Sequence, residues 1–255
     1  SESEKRSEAL LKEGLALEKQ AEKLVFANKF PDALRTYENA HEKFESALKE
    51  NPNSHEIAYK LAALLTDFAR FKERQGNNEE NELLYRQATE KFALALALKP
   101  NHFLSLANRG GALVELAKIK LAKGEYAASE AFSAEAESIF ASATKKKKSE
   151  WVFDRWGFAL ITRAASALKQ NDGEKSDALF RSATEKLMIA RQVNSKFYQA
   201  TLDLAFASLG RVPIKIDDED FEEANFLLNQ TEEWLKEALN AGMSSKTAHH
   251  LTDGI

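Results

Sequence analysis

Apolar residues along this chain recur at three- and four-residue intervals in blocks of about twenty, and Gly, Pro or Asn clusters close each block. That period belongs to amphipathic helices, each burying one face. The breakers predict ten helices in five pairs. The first pair covers about Glu4–Asn28 and Pro31–Glu50, with Pro31 in the first turn, where a missing N–H costs nothing. The second covers His55–Gln75 and Glu79–Leu98, the third His102–Lys123 and Glu125–Thr144, and the fourth Glu150–Gln170 and Lys175–Val193. Gly76, Gly124 and the segment from Asn171 to Gly173 are the expected hinges inside pairs two to four. The fifth pair is expected at Lys196–Leu209 and Phe221–Asn240. Between these two, Pro213 should end the helix, and the residues from Ile214 to Ile216 alternate like a short extended strand.

The pattern also repeats. Tyr37–Asn53 (YENAHEKFESALKENPN) lines up with Tyr85–Asn101 (YRQATEKFALALALKPN), 48 residues later. Ala40, Phe44, Ala47 and Pro52 become Ala88, Phe92, Ala95 and Pro100; the third copy keeps Ala136, Phe140 and Ala143, and the fourth Ala183, Leu187 and Ala190. Phe44, Phe92, Phe140, Leu187 and Trp234 form the expected core row, with alanines opposite. A period of this length marks a helical array. Its repeats fall at about 4–51, 52–99, 100–147, 148–194 and 195–241, in a single domain over 1–255.

The Ala–Phe–Ala–Pro offsets resemble the second helix and closing turn of the tetratricopeptide repeat (TPR). The first-helix pattern of that family is similar to Ala58, Leu61, Ala62 and Leu65, to Leu106, Gly110 and Leu113, and to Phe153, Trp156, Gly157 and Leu160. Thr201, Leu204 and Ala205 give a weaker copy. The family repeat is about 34 residues, so each helix here gains about two turns. The resemblance implies an all-α fold, an α-solenoid of five antiparallel helix pairs wound as a right-handed superhelix. It also implies a non-catalytic module that binds a peptide or helix of a partner protein in a concave groove lined by first helices. Armadillo and HEAT arrays have a close period but lack this small–large–small–proline spacing. A bundle of long helices like the 14-3-3 fold would not repeat so regularly. Arg109–Leu116 (RGGALVEL) further resembles a stretch of the plant mitochondrial import receptor, a lengthened TPR protein. An organellar import or targeting receptor domain is therefore one alternative; a structural subunit of a homo-oligomer or larger assembly is another.

Composition narrows the chemistry. The chain carries 36 basic and 40 acidic residues, a formal net charge of -4, which argues against nucleic acid or acidic lipid as the main partner. There is no cysteine, which excludes disulfides, thiolate nucleophiles and cysteine-ligated zinc. His41, His55, His102, His249 and His250 have no helical ligand spacing, and Arg109-Gly110-Gly111 lies within a helix instead of forming a phosphate loop. The expectation is no enzyme, no metal, no cofactor and no small-molecule substrate. No apolar run approaches the roughly 20 residues of a membrane span, and the polar start is unlike a secretory signal. An intracellular protein is expected, in the cytoplasm or at an organelle surface.

Candidate contacts follow from the resemblance, which places them on first helices. A carboxylate clamp known in the family would fall on Tyr59, Ala63, Asn108, Trp151 and Arg155; only Asn108 and Arg155 have the right types, so that binding mode is not expected. The remaining wall is Tyr59, Thr66, Asn108, Glu115, Trp151, Asp154, Arg155 and Thr162, suited to an amphipathic helix or extended peptide. Trp156 is expected in the core, with Trp151 and Phe158 toward the inner face. Lys145, Lys146, Lys147 and Lys148 are the one concentrated basic run. They complement a helix C-terminus, or contact an acidic peptide, a phosphoinositide or RNA, or form a nuclear-import signal.

Overall fold

The computed structural model describes residues 1–242. Among them ten α-helices follow one another with no strand: α1 (Glu2–Phe26), α2 (Phe30–Glu50), α3 (His55–Arg74), α4 (Asn78–Leu98), α5 (Phe103–Ala122), α6 (Tyr126–Thr144), α7 (Glu150–Lys169), α8 (Gly173–Val193), α9 (Tyr198–Asp217) and α10 (Phe221–Asn240). The chain divides into two compact units, Ser1–Leu116 and the residues from Ala117 onward, with the boundary inside α5. In the first unit α1 packs on α2, α3 on α4, α2 on α3, and α1 touches α3. In the second, α7 packs on α8, α9 on α10, α6 on α7 and α8 on α9, and α7 also meets α9. At α1–α3 and at α7–α9, then, a first helix meets the first helix of the next pair as well as its own partner.

One side-chain fit drives this packing. Phe44, Phe92, Phe140 and Leu187 have no solvent exposure, nor do the alanines four before and three after each: Ala40 and Ala47, Ala88 and Ala95, Ala136 and Ala143, Ala183 and Ala190. A large side chain flanked by two small ones forms a ridge beside hollows, so the neighbouring backbone can come close. In the first and fourth hairpins the facing first helix answers with a glycine. Gly14 lies against the Phe44 ring, and a Cβ there would sit 3.3 Å from it. A Cβ on Gly157 would fall 2.6 Å from Leu187 Cγ, closer than side chains pack. Trp234 is only partly buried, its face covered by the Arg191 guanidinium at 4.6 Å.

The five hairpin turns share one geometry. A left-handed residue follows each first helix: Asn28 (φ 57°), Gly76 (74°), Gly124 (73°), Asn171 (60°) and Glu219 (60°). The next residue then donates its N–H back five residues: Lys29 to Leu24, Asn77 to Lys72, Glu125 to Lys120, Asp172 to Ala167 and Asp220 to Lys215, at 2.8–3.1 Å. This is the Schellman closure, which satisfies carbonyls left open at a helix end. Within the expected hinge from Asn171 to Gly173, Asn171 takes the left-handed position, Asp172 caps α8 through the Lys175 N–H at 3.1 Å, and Gly173 begins the helix. Buried hydroxyls add hairpin cross-links. Ser7 donates to the Ala47 carbonyl, Ser129 to Ala117 and Ser176 to Ala164, each at 2.9 Å.

The expected break at Pro213 is corrected. α9 runs through Pro213 to Asp217, and residues 214–216 are helical, not extended. Pro213 cannot donate to the Leu209 carbonyl, a local cost that tertiary contacts outweigh. Val212 (7% exposed) and Ile214 (4%) are buried, Ile214 in one cluster with Phe180, Leu204 and Ala207. Arg211 bonds Asp177 of α8 at 2.7 Å and Glu223 of α10 at 3.2 Å, tying three helices. An extended segment would forfeit both sets of contacts, and no neighbouring strand among the described residues could accept it.

Gly157 lies inside a helix, where alanine ordinarily gains about 1 kcal/mol. Here overpacking against fully buried Leu187 should reverse the sign: Gly157→Ala is expected to destabilise by about 1–2 kcal/mol. Denaturant unfolding checks this, and a stabilised variant would show that the two helices are not packed this closely.

Candidate functional site

The residues expected to face a partner lie on the first helices; the second helices bury the small–large row. In the first unit, Tyr59 of α3 is half-buried; its ring stands edge-on to His102 at 5.2 Å and tilts over Phe92 at 6.0 Å. Its hydroxyl accepts from Asn108 Nδ2 of α5 at 3.3 Å, so two residues chosen from sequence meet as a cross-link. Burial raises the Tyr59 hydroxyl above its ordinary pKa, and the Asn108 bond opposes that. His55 and His102 lie edge to face at 5.5 Å, and His102 Nδ1 pairs with Ser105 Oγ at 2.7 Å. Burial, with the charges of Lys99 and His55, holds the His102 imidazole below its usual range. Among the described residues no cluster of His, Cys, Asp and Glu is built to hold a metal. His249 and His250 lie outside them.

The other chosen residues divide by burial. Thr66 (8% exposed) and Thr162 (3%) turn their hydroxyls to their own helices, donating to the Ala62 carbonyl at 2.9 Å and the Phe158 carbonyl at 3.0 Å. Asp154 is 1% exposed, facing Asp203 of α9. Glu115, Trp151 and Arg155 are half-buried, and Lys145 to Lys148 stand exposed in the turn between α6 and α7. Trp151, Arg155 and Phe158 fall on one stripe of α7 at i, i+4 and i+7. The Phe158 ring is covered by two cations, Arg155 at 5.2 Å and Lys118 at 5.7 Å. Trp156 packs in part against the core, stacked on Phe153 at 6.3 Å and donating Nε1 to Glu137 Oε2 at 3.3 Å.

A further groove escaped the sequence reading. In the first unit it is lined by Glu22, Phe26, Tyr37, Asp67, Arg70 and Phe71. Phe26 is 92% exposed, whereas Tyr37 stacks on Phe68 at 5.2 Å and is buried. Nearby Glu18 is pushed up to about 7, first by burial and then by the charges of Asp67 and Glu22, with Lys60 opposing. Glu18 and Glu22 share a helix face at i, i+4, a spacing visible in the sequence, but Asp67 joins them only through the α1–α3 contact.

No protein-family model matches this sequence, and no curated protein matches it. Among solved structures the chain is similar to BtubC (BKLC) from P. vanneervenii, at 14% identity and a TM-score of 0.54, covering 93% of both chains. Looser likenesses are to pilF of Pseudomonas aeruginosa (12% identity, TM-score 0.45, 96% of this chain and 80% of that one) and to TTC0263, a thermophilic TPR protein of Thermus thermophilus (20%, 0.39, 89% and 99%). At these identities the likeness concerns the fold alone, an all-α array of helix pairs. The import-receptor likeness of Arg109–Leu116 gains no support from these structures. No helix among the described residues is long and apolar enough to cross a membrane.

A carboxyl with a raised folded-state pKa contributes most below its ordinary value of 4.5, and that contribution is lost as pH rises through about 7. Glu18→Gln should therefore leave melting at pH 4 nearly unchanged and raise it above wild type at pH 8. Thermal melts across this range check it; parallel pH profiles would contradict it.

Proposed function

We propose that this chain is a non-catalytic protein–protein interaction module that holds a peptide or helix of a partner on the faces of its first helices. The observation that carries the reading is the α7 stripe, where half-buried Trp151, Arg155 and Phe158 line up at helical spacing while Val152 and Ala159 beneath them are fully buried. The Trp151 side chain gives a partner's apolar side chains contact area, and the Arg155 guanidinium over the Phe158 ring fixes orientation. Such a face binds by shape and apolar contact along a segment, not by closing around a small molecule. The exposed lysines at 145–148 precede the stripe in the chain and favour a partner segment carrying acidic residues there. The TPR-like fold supports this reading, since stacked two-helix repeats present long continuous surfaces.

The test is affinity purification with the wild type and the double variant Trp151→Ala/Arg155→Glu, followed by mass spectrometry. The variant should fold with an unchanged circular dichroism spectrum and recover its specific partner at least about tenfold less well, the loss of one hot-spot pair. Equal recovery would remove the α7 stripe from the binding surface.

A further inference from the structure

Asp154 of α7 and Asp203 of α9 are each 1% exposed, and they lie on helices that pack together with the two carboxyl groups facing one another. Two carboxylates have only acceptor atoms, so such a pair can share a hydrogen bond only while one of them carries a proton. Gln199 Nε2 of α9 donates to Asp203 Oδ1 at 3.1 Å. Among the described residues Asp154 Oδ1 and Asp203 Oδ2 have no hydrogen-bond donor. The charges that act on the pair are Arg155 of α7 and Lys118 of α5, both half-buried and both lying over the Phe158 ring.

The position gives the pair its meaning. In the first unit Tyr59 and Asn108, 49 residues apart, bridge successive first helices with neutral groups whose bond is indifferent to pH. In the second unit Asp154 and Asp203, also 49 residues apart, bridge successive first helices with groups that titrate. α7 and α9 belong to different hairpins, and α9 carries α10 with it.

We propose that the Asp154–Asp203 pair is a proton-dependent latch between the fourth and fifth hairpins, closed while the pair holds a proton and released when it loses it. Burial, the largest influence, raises both carboxyls; the Asp203 charge raises Asp154 further, and Arg155 opposes in each case. A carboxyl raised in the folded state contributes most at low pH, and its contribution disappears as the solution turns alkaline. Two adjacent buried charges then repel, with no partner among the bonded groups to neutralise both. The joint between α7 and α9 loosens, and the last hairpin becomes free to shift. This device acts between helices and not on a ligand, with Arg155 the one residue it shares with the binding stripe proposed above.

The experiment compares wild type, Asp154→Asn and Asp203→Asn by amide hydrogen exchange between pH 6 and 9, corrected for intrinsic exchange rates. Asparagine keeps the shape and always supplies a donor. In the wild type, amides of α9 and α10 should exchange at least about tenfold faster at pH 9 than at pH 6, while in either variant the rise disappears. Glu18 titrates in the same range but lies in the first unit, so its effect does not separate wild type from these variants. Carboxyl carbon NMR of wild type labelled at aspartate supplies a second reading, needing no variant to fold. Two aspartates should titrate well above the ordinary carboxylate range. Unchanged protection of α9 and α10, an equal rise in all three proteins, or ordinary titration of every aspartate would each overturn the latch.

Discussion

A small residue on one helix receiving a large residue from its hairpin partner is the contact on which everything else here rests. Gly14 against Phe44 and Gly157 against Leu187 bring helix backbones close enough for side chains to interlock without gaps. Close-packed interiors are sensitive to a single methyl group, so such a contact fixes both the spacing and the rotation of the two helices. In the hairpins that have this geometry, the outer faces left for a neighbouring helix are thereby defined. The buried serines and the Arg211 ion pairs refine an arrangement that the apolar fit already imposes.

The turns make the same point through the backbone. A left-handed residue at the end of each first helix reverses the chain in the same way five times among the described residues. Two of these residues are glycine and two asparagine, types that tolerate that conformation, while Glu219 is held there by the surrounding closure. Identical turns and similar interlocks produce units that stack, and stacking leaves the first helices with a face not consumed by their own hairpins. The proposed binding stripe of α7 and the buried Asp154 are both carried by such a first helix. Trp151 and Phe158 remain half-buried, whereas Asp154 is directed inward to Asp203.

Much of this was legible in the residues. The offsets of Ala40, Phe44 and Ala47 recur because the contact they make recurs, so a periodic sequence could reveal a periodic fold. Gly76 and Gly124 marked turns because glycine is the usual left-handed residue; in the fourth turn Asn171, at the start of the expected hinge, does the same work. Pro213 misled because its local cost is visible in the sequence, while the burial of Val212 and Ile214 that outweighs it is not. The candidate wall was legible only in outline. Helical spacing placed Tyr59, Trp151 and Arg155 on first helices, but it could not say that Thr66 and Thr162 satisfy their hydroxyls within their own helices. Contacts 49 residues apart, such as Tyr59 with Asn108, depend on how one hairpin docks on the next, which no local pattern encodes.

The most direct test of the interlock is a double-mutant cycle on Gly157 of α7 and Leu187 of its hairpin partner α8, where a Cβ would collide with the leucine side chain. Gly157→Ala should destabilise the wild type but not a Leu187→Ala background, giving a coupling energy of at least about 1 kcal/mol. Strictly additive effects of the two substitutions would contradict the account.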